Sequence, residues 1–380
     1  MAFNELYRSV DLALERYANV HRGSGHYSQV TTRLYEEARA IVLSHFGLSE
    51  KQFTVIFCSA GRAGKLIQSI GKQHCRTISG TDAGLSLGVT AVAVKKRNLP
   101  HGVPFETGGG TTKLYDKEWV IWADVPDRFE AGTPAIINVI AFARALLMIA
   151  KQGPDLFRKE KVAAIQPSAL FRDRFSDLSG AELLNELKKH QPGLRPEVPA
   201  AGGKRRYINL DNSASTPTFD PIAEVFKKAM QQPANNHKAI IREVKRIIAT
   251  FFSAPEEEYD IIFTASTTES VNLLASTFPE PAPGEAPLIL NSLLEHSSND
   301  LPWRYIPGYK VIKFPVSNEG FWDLNKLEEI LRAHNGNKES RNRIRVVTVS
   351  GASNVLGSCN DLARSEERRV GKECRSWWAP

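Results

Sequence analysis

EEARAIVLSHFGLSEKQFTVIFCSAG, Glu36 to Gly61, and REVKRIIATFFSAPEEEYDIIFTAST, Arg242 to Thr267, lie over one another at a constant offset of 206 residues. Ile41 falls on Ile247, Val42 on Ile248, Phe46 on Phe252, Phe53 on Tyr259, and Val55, Ile56 and Phe57 on Ile261, Ile262 and Phe263. A single shared amphipathic helix would mean little. A helix, an acidic loop and an apolar strand kept in register mark an internal repeat. Each copy reads as helix, short loop, buried strand, a turn rich in Gly or Thr, then helix, with the second strand expected at Asp260 to Thr264. That order predicts an α/β fold on a parallel sheet.

Working outward, apolar runs at Gly88 to Val94, Leu288 to Asn291, Val311 to Phe314 and Arg345 to Ser350 predict further strands. Helical patterns cover Pro134 to Lys151, Phe219 to Gln232 and Asp323 to His334. Ser179 and Glu182 form a capping box before the helix Glu182 to Lys189. The Pro-, Gly- and base-rich Gln191 to Arg205 reads as a linker. Four regions follow: a first partial module over 1–155, a helical connector and linker over 156–205, a second module over 206–363, and a tail over 364–380.

The tail, RSEERRVGKECRSWWAP from Arg364, has no apolar periodicity and no turn logic, and it resembles translated sequencing adapter. It is set aside from the fold, and the natural protein is expected to continue past Ala363. The whole chain carries a formal charge of +7, but its basic residues lie mostly beside acidic ones in helices, which argues against a nucleic-acid partner. No run approaches the roughly 18 apolar residues of a membrane span, and the first ten residues lack the order of a secretory signal. A cytoplasmic location is expected. Cys58, Cys75, Cys359 and Cys374 show neither zinc-ligand nor disulfide-framework spacing, and Cys58 and Cys359 read as packed thiols.

One turn has the chemistry of an anion site. After the apolar run, Ala265-Ser266-Thr267-Thr268-Glu269 opens a helix, so free backbone N–H groups and two hydroxyls converge where a phosphate is favoured. The same residues serve equally well as a plain Ser/Thr cap supported by Glu269. The local pattern leaves both open.

Four segments in order resemble the class V aminotransferases and the related cysteine desulfurases, which are fold type I enzymes dependent on pyridoxal 5'-phosphate (PLP). They are YINLDNSASTP (Tyr207 to Pro217), IIFTASTTESVNLLA (Ile261 to Ala275), LEHSSNDLPWR (Leu294 to Arg304) and VSGASNVLG (Val349 to Gly357). The resemblance implies a three-layer α/β/α fold with a mainly parallel sheet, present here as two partial copies. It further implies that Thr267 and Thr268 hold the cofactor phosphate, that His296 stacks on the pyridine ring, and that Asn354 lies near the phenolic oxygen. Asn212, Ser213 and Ala214 would border the substrate. Otherwise Asn354 would belong to an Asx-type turn, and the 211–215 stretch would simply lead into a helix.

The first copy resembles the family through HRGSGHYSQ (His21 to Gln29), FCSAGRAGKLIQSI (Phe57 to Ile70), ISGTDAG (Ile78 to Gly84) and DRFEAGTP (Asp127 to Pro134). Its phosphate turn runs into the lysine-loop region after a short stretch where the family has a far longer one, so this copy is internally deleted. In the family, DRFEAGTP supplies a threonine that reaches another subunit's cofactor phosphate. Thr133 inherits that role and also suits a helix N-terminus before Pro134. The glycines Gly108 to Gly110 read as a tight turn between strands.

A PLP transaminase or desulfurase needs a lysine to hold the cofactor covalently and an acid at the pyridine nitrogen. In the first copy Asp82 stands where the resemblance places the family lysine, and a carboxylate cannot form that bond; in the second copy the acid and the lysine are expected past Ala363. Lys65 and Lys72 match no motif and read as surface residues. The expectation is therefore a tandem class V relative acting on an amino acid, homodimeric in its parent form and without an identifiable catalytic lysine. The alternative is a non-catalytic PLP-fold module that serves as a dimerisation or interaction partner.

Overall fold

The computed structural model describes residues 2–20, 23, 25–159, 162–171, 175–190, 197–211, 216–337 and 339–363. Asn212, Ser213 and Ala214, and the tail from Arg364, therefore lie outside the described residues. Two compact units are present, one formed by residues 1–100 and 135–263, the other by residues 101–134 and 264 onward.

The first unit begins with α1 (Ala2–Glu15), α2 (His26–His45), β1 (Phe53–Cys58), α3 (Ala60–Ile70), β2 (Cys75–Ser79) and β3 (Thr90–Lys95). Residues 101–134 of the second unit carry the hairpin β4 (Thr112–Tyr115) and β5 (Val120–Trp122). The first unit resumes with α4 (Ile136–Gln152), α5 (Leu156–Lys159), α6 (Pro167–Leu170), α7 (Gly180–Lys189), the hairpin β6 (Glu197–Ala200) and β7 (Gly203–Arg206), α8 (Asp220–Gln231) and α9 (Ala234–Phe251). The second unit closes with α10 (Thr267–Ser276), β8 (Leu288–Ser292), α11 (Leu301–Arg304), β9 (Lys310–Phe314), α12 (Leu324–Asn335) and β10 (Ile344–Thr348).

In the first unit the sheet order is β1-β3-β2, and both pairings are antiparallel. β1 and β2, joined through α3, thus run the same way, with β3 inserted between them in the opposite sense. The mainly parallel sheet expected from the sequence is departed from here because β3 is reached from β2 by a loop rather than by a crossover helix. Val55 and Phe57 of β1 and Ala91 and Ala93 of β3 face a core built with α1, α2 and α4, where Leu6, Tyr35, Val42 and Phe142 are fully buried. The linker expected over 191–205 includes the β6–β7 hairpin, and the Ser179 side chain makes no cap hydrogen bond at α7.

The strand expected at Asp260 to Thr264 is not formed. Its sequence twin β1 is paired along its whole length with β3, whereas no strand pairs with 260–264 among the described residues. Ile262 is 68% and Phe263 53% exposed, so the repeated sequence is buried in one copy and solvent-facing in the other.

The second unit has the predicted α/β order. Its sheet runs β10-β8-β9, parallel throughout, with α11 in the β8–β9 connection and α12 in the β9–β10 connection. The pleat sends Leu288 and Leu290 to one face, where they join Phe314, Trp322, Leu327 and Leu331, and Ile289 to the other, with Ala275, Trp303 and Ile306. Helices on both faces make this the three-layer arrangement. Among the described residues no helix is long and apolar enough to cross a membrane.

Candidate functional site

The carboxyl ends of parallel strands are where an α/β sheet exposes loops to a ligand. β8 leads into Glu295-His296-Ser297-Ser298, and β10, its parallel neighbour, leads into Ser350 and the turn that holds Asn354. Glu295 is 7% exposed and ties the two loops together. Its carboxylate accepts from Ser292 Oγ (2.5 Å), Asn299 Nδ2 (2.7 Å), Ser350 N (3.1 Å) and Ser350 Oγ (2.6 Å).

The start of α10 supplies the third part. Ser266 is its N-cap, accepting from Glu269 N, while the Glu269 carboxylate accepts from Ala265 N at 2.7 Å. Among the described residues no acceptor is bonded to the backbone N–H of Thr267 or Thr268. Buried Thr268 shares a 2.6 Å hydrogen bond with Ser298 Oγ, and Ser298 N donates to His296 Nδ1 at 3.1 Å. Ser298 thereby joins the phosphate-turn threonine to the predicted ring-stacking histidine. Thr267 and His296 are both exposed.

The same unit contains Gly108 to Gly110 and Thr133. Gly108 and Thr111 close the expected tight turn (Thr111 N to Gly108 O, 3.2 Å). The turn also lies against α10: Gly109 N donates to Ser298 Oγ at 3.2 Å, and a Cβ on Gly108 would sit 2.5 Å from Thr268 Cγ2. Gly132 approaches as closely, since a Cβ there would meet Ser266 Oγ at 2.3 Å. Thr133, the next residue, is exposed beside that contact.

Asn354 is exposed in a turn whose capping oxygen belongs to Ser353, which accepts from Val355 N and Leu356 N. The Asx alternative therefore does not describe this turn. Asp82 lies in the first unit, where its carboxylate accepts from Ser79 N and Ser79 Oγ, both at 2.8 Å, and closes a loop after β2. Lys65 and Lys72 are exposed, as expected. Cys58 is buried, but Cys359, expected to be packed, is exposed beside an isolated bridge between Ala352 and Cys359.

Beneath the site lies a charged group that sequence reasoning missed. Asp300, 1% exposed, takes ion pairs from Arg304 (2.5 Å) and Lys313 (2.9 Å). Burial alone would raise its carboxyl, but the hydrogen bonds and charges of Arg304 and Lys313 outweigh it and hold the group below the usual carboxylate range. Arg304 also donates to Asp116 O and Lys117 O and lies over the Tyr115 ring, whose phenol is pushed up by burial and by the Asp300 charge. The signal for this group was present as an i,i+4 Asp–Arg pair inside LEHSSNDLPWR. Ser298 and Asn272 had no sequence signal of their own.

These residues suit the phosphate of PLP: free helix-start amides, a threonine hydroxyl on each side, and backbone brought close by glycine. None of them is a lysine, so the covalent anchor is not among these residues.

The family model for class-V aminotransferases matches residues 86–194 and 208–370. The chain is 28% identical over 184 residues to the cysteine desulfurase CsdA of Escherichia coli, spanning 45% of this chain and 43% of that one. It is 36% identical over 131 residues to a probable cysteine desulfurase of Mycoplasma genitalium, spanning 32% and 31%. A crystal structure of Escherichia coli CsdA bearing an S-sulfonic acid aligns over 35% of this chain and 32% of that one, at 30% identity and a TM-score of 0.29. The chain thus spans less than half the length of these curated relatives. With the family model matched over both stretches, the chain belongs to the class-V aminotransferase family.

Proposed function

We propose that this chain is a tandem class V relative whose second copy binds the phosphate of PLP at the start of α10. Thr267, Thr268 and Thr133 would hold the phosphate, with His296 over the ring and Asn354 at its oxygen edge. When bound, the cofactor supplies an electron sink for amino-acid chemistry, either transamination or removal of sulfur from cysteine, the reaction class that the desulfurase relatives suggest. The chain's own residues orient the group. α10 presents its N–H groups, Ser298 fixes Thr268 relative to His296, and Glu295 sets the β8 and β10 loops.

The observation that carries this reading is the Thr268–Ser298–His296 chain of hydrogen bonds at the carboxyl end of a parallel sheet. The two stretches matched by the family model support the two-copy organisation. No chemical step is assigned, because no residue matches the lysine. The alternative reading, a first copy kept as a non-catalytic partner, is supported by Asp82, whose carboxylate is occupied in closing its own turn.

Titration with PLP followed by borohydride and peptide mapping tests both halves. The expected result is saturable binding, weakened by T268A and competed by inorganic phosphate, with all cofactor lost on dialysis after reduction. Fixation of the cofactor to one lysine overturns the missing-anchor half. Absence of any phosphate-competed binding overturns the cofactor half.

A further inference from the structure

Residues 101–134 sit within the first copy's sequence, yet they fold into the unit that holds the second copy's candidate site. Their contacts there are specific. Thr107 N donates to Asn272 Oδ1 at 3.1 Å, and Asn272 Nδ2 returns a bond to Thr107 O at 2.8 Å while also bonding Thr268 O at 2.8 Å. One side chain of α10 thus takes both the N–H and the C=O of Thr107. Gly109 N reaches Ser298 Oγ, and Gly132 N donates to Gly109 O at 2.7 Å, so the glycine turn and the EAGTP loop are fastened to each other as well as to the site. The base of the segment is held by Arg304, through Asp116 O and Lys117 O.

We propose that residues 101–134 form an internal strap that completes the phosphate end of the second copy's site in cis, so that one chain carries the whole cradle without borrowing residues from another copy. The ligand half of this proposal rests on the cofactor reading above; the docking half does not. Three features distinguish a strap that serves a site from ordinary packing. At the helix start the contacts are polar and made by main-chain atoms of the segment, whereas aromatic packing of Trp122 on Tyr305 is confined to the hairpin. Gly108 and Gly132 remove side chains at the two closest approaches, which lets main-chain atoms border the helix start. Thr133 emerges from the second of these approaches with its hydroxyl exposed and no partner among the described residues, while the Thr107 hydroxyl is buried without one. A phosphate monoester suits this end, since it accepts from hydroxyl and N–H donors alike and carries the charge that a helix start favours.

Two measurements test it. A Cβ at residue 109 would lie 3.1 Å from Ser298 Oγ, within reach of a bond between the pair G109C and S298C. Light and heavy-isotope chains of this double variant are mixed, unfolded, refolded together, oxidised and digested. The expected linked peptides are wholly light or wholly heavy; mixed pairs at the statistical ratio overturn the cis strap. Should the variant fail to fold, the unmodified protein carries the test. PLP binding followed by fluorescence across a dilution series is expected to show one site per chain and an affinity independent of chain concentration, with T133A weakening it about tenfold. Affinity that falls on dilution, or T133A equal to the parent, overturns the proposal. Intrachain links without any binding of PLP or inorganic phosphate remove the cofactor reading and the ligand half with it, and leave the docking half standing.

Discussion

Replacing Gly132 by Ala should undock the 101–134 segment while leaving the parallel sheet intact. Gly132 has φ +87°, a conformation that costs an L residue about 1–2 kcal/mol. Its new Cβ would lie 2.3 Å from Ser266 Oγ, 2.9 Å from Ser266 Cβ and 3.2 Å from Thr268 Cβ. Rotating the serine hydroxyl away relieves the first contact but gives up its bond to Glu269 N, a cap worth about 1 kcal/mol. The two carbon contacts remain, so the loop must withdraw from the helix. The sum is about 2–3 kcal/mol against docking, which corresponds to a roughly 30- to 150-fold rise in the open population. Amide hydrogen exchange reads this directly. The amides of Thr107, Gly109 and Gly132 should lose protection by that factor, whereas Ile289 and Leu290 at the centre of β8 should not change. Gly153→Ala is the control, because it has φ +100° but no atom within 4 Å of the added Cβ, so it carries the backbone strain without the contact. Equal exchange in G132A and parent, or a loss spread evenly over β8, would refute the close approach at Ser266.

The buried Asp300 predicts an acid limb in stability. Its folded carboxyl is held below the ordinary value, so its contribution is complete above the unfolded pKa, about 3.9, and is lost as pH falls through the folded one. Urea midpoints measured downward from neutral pH should begin to fall near pH 4–5, and D300N, which leaves Arg304 and Lys313 unpaired, should cost about 3–5 kcal/mol and flatten that limb. E295A deprives four donors of one acceptor and should cost about 3 kcal/mol or more, with exchange at Ser350 N rising first. Charged substitutions at Ile262 and Phe263 should leave the unfolding midpoint within about 0.5 kcal/mol of the parent while lowering light scattering at high concentration, because both side chains are solvent-facing on a strand-prone run.

The second copy was legible because its signals are local. The apolar run at Leu288 to Asn291, buried throughout, and the capping residues Ser266 and Asp323 each act within a few positions, and β8, α10 and α12 formed where those signals lie. The strand at 260–264 was misread for a non-local reason. Its sequence matches β1 closely, but a strand exists only if another supplies hydrogen bonds, and β3 pairs with β1. The antiparallel placement of β3 was equally hidden, since an apolar run carries no direction. Within the site, Thr268 and His296 could be found from motifs, whereas Ser298 between them is set by three-dimensional proximity. Gly108 to Gly110 were correctly read as a turn, but nothing local to them shows what the turn leans on. The Thr267–Thr268 pair has no counterpart in the first copy. The same offset falls on Gly61 and Arg62, and Arg62 is buried, so the two helix starts have diverged in chemistry while keeping their backbone form.

The grip of Asn272 on both the N–H and the C=O of Thr107 has a consequence for how this segment can drift in sequence. A contact made through main-chain atoms reads shape and not identity, so most side chains along 101–134 are free to vary without being noticed by α10. Selection can act instead on what is missing, the side chains absent at 108 and 132, and on the single amide on the opposite wall. A random library over the segment and position 272, sorted for chains that keep the Thr107 amide protected, should retain glycine at 108 and 132 and asparagine at 272 while the other residues scatter.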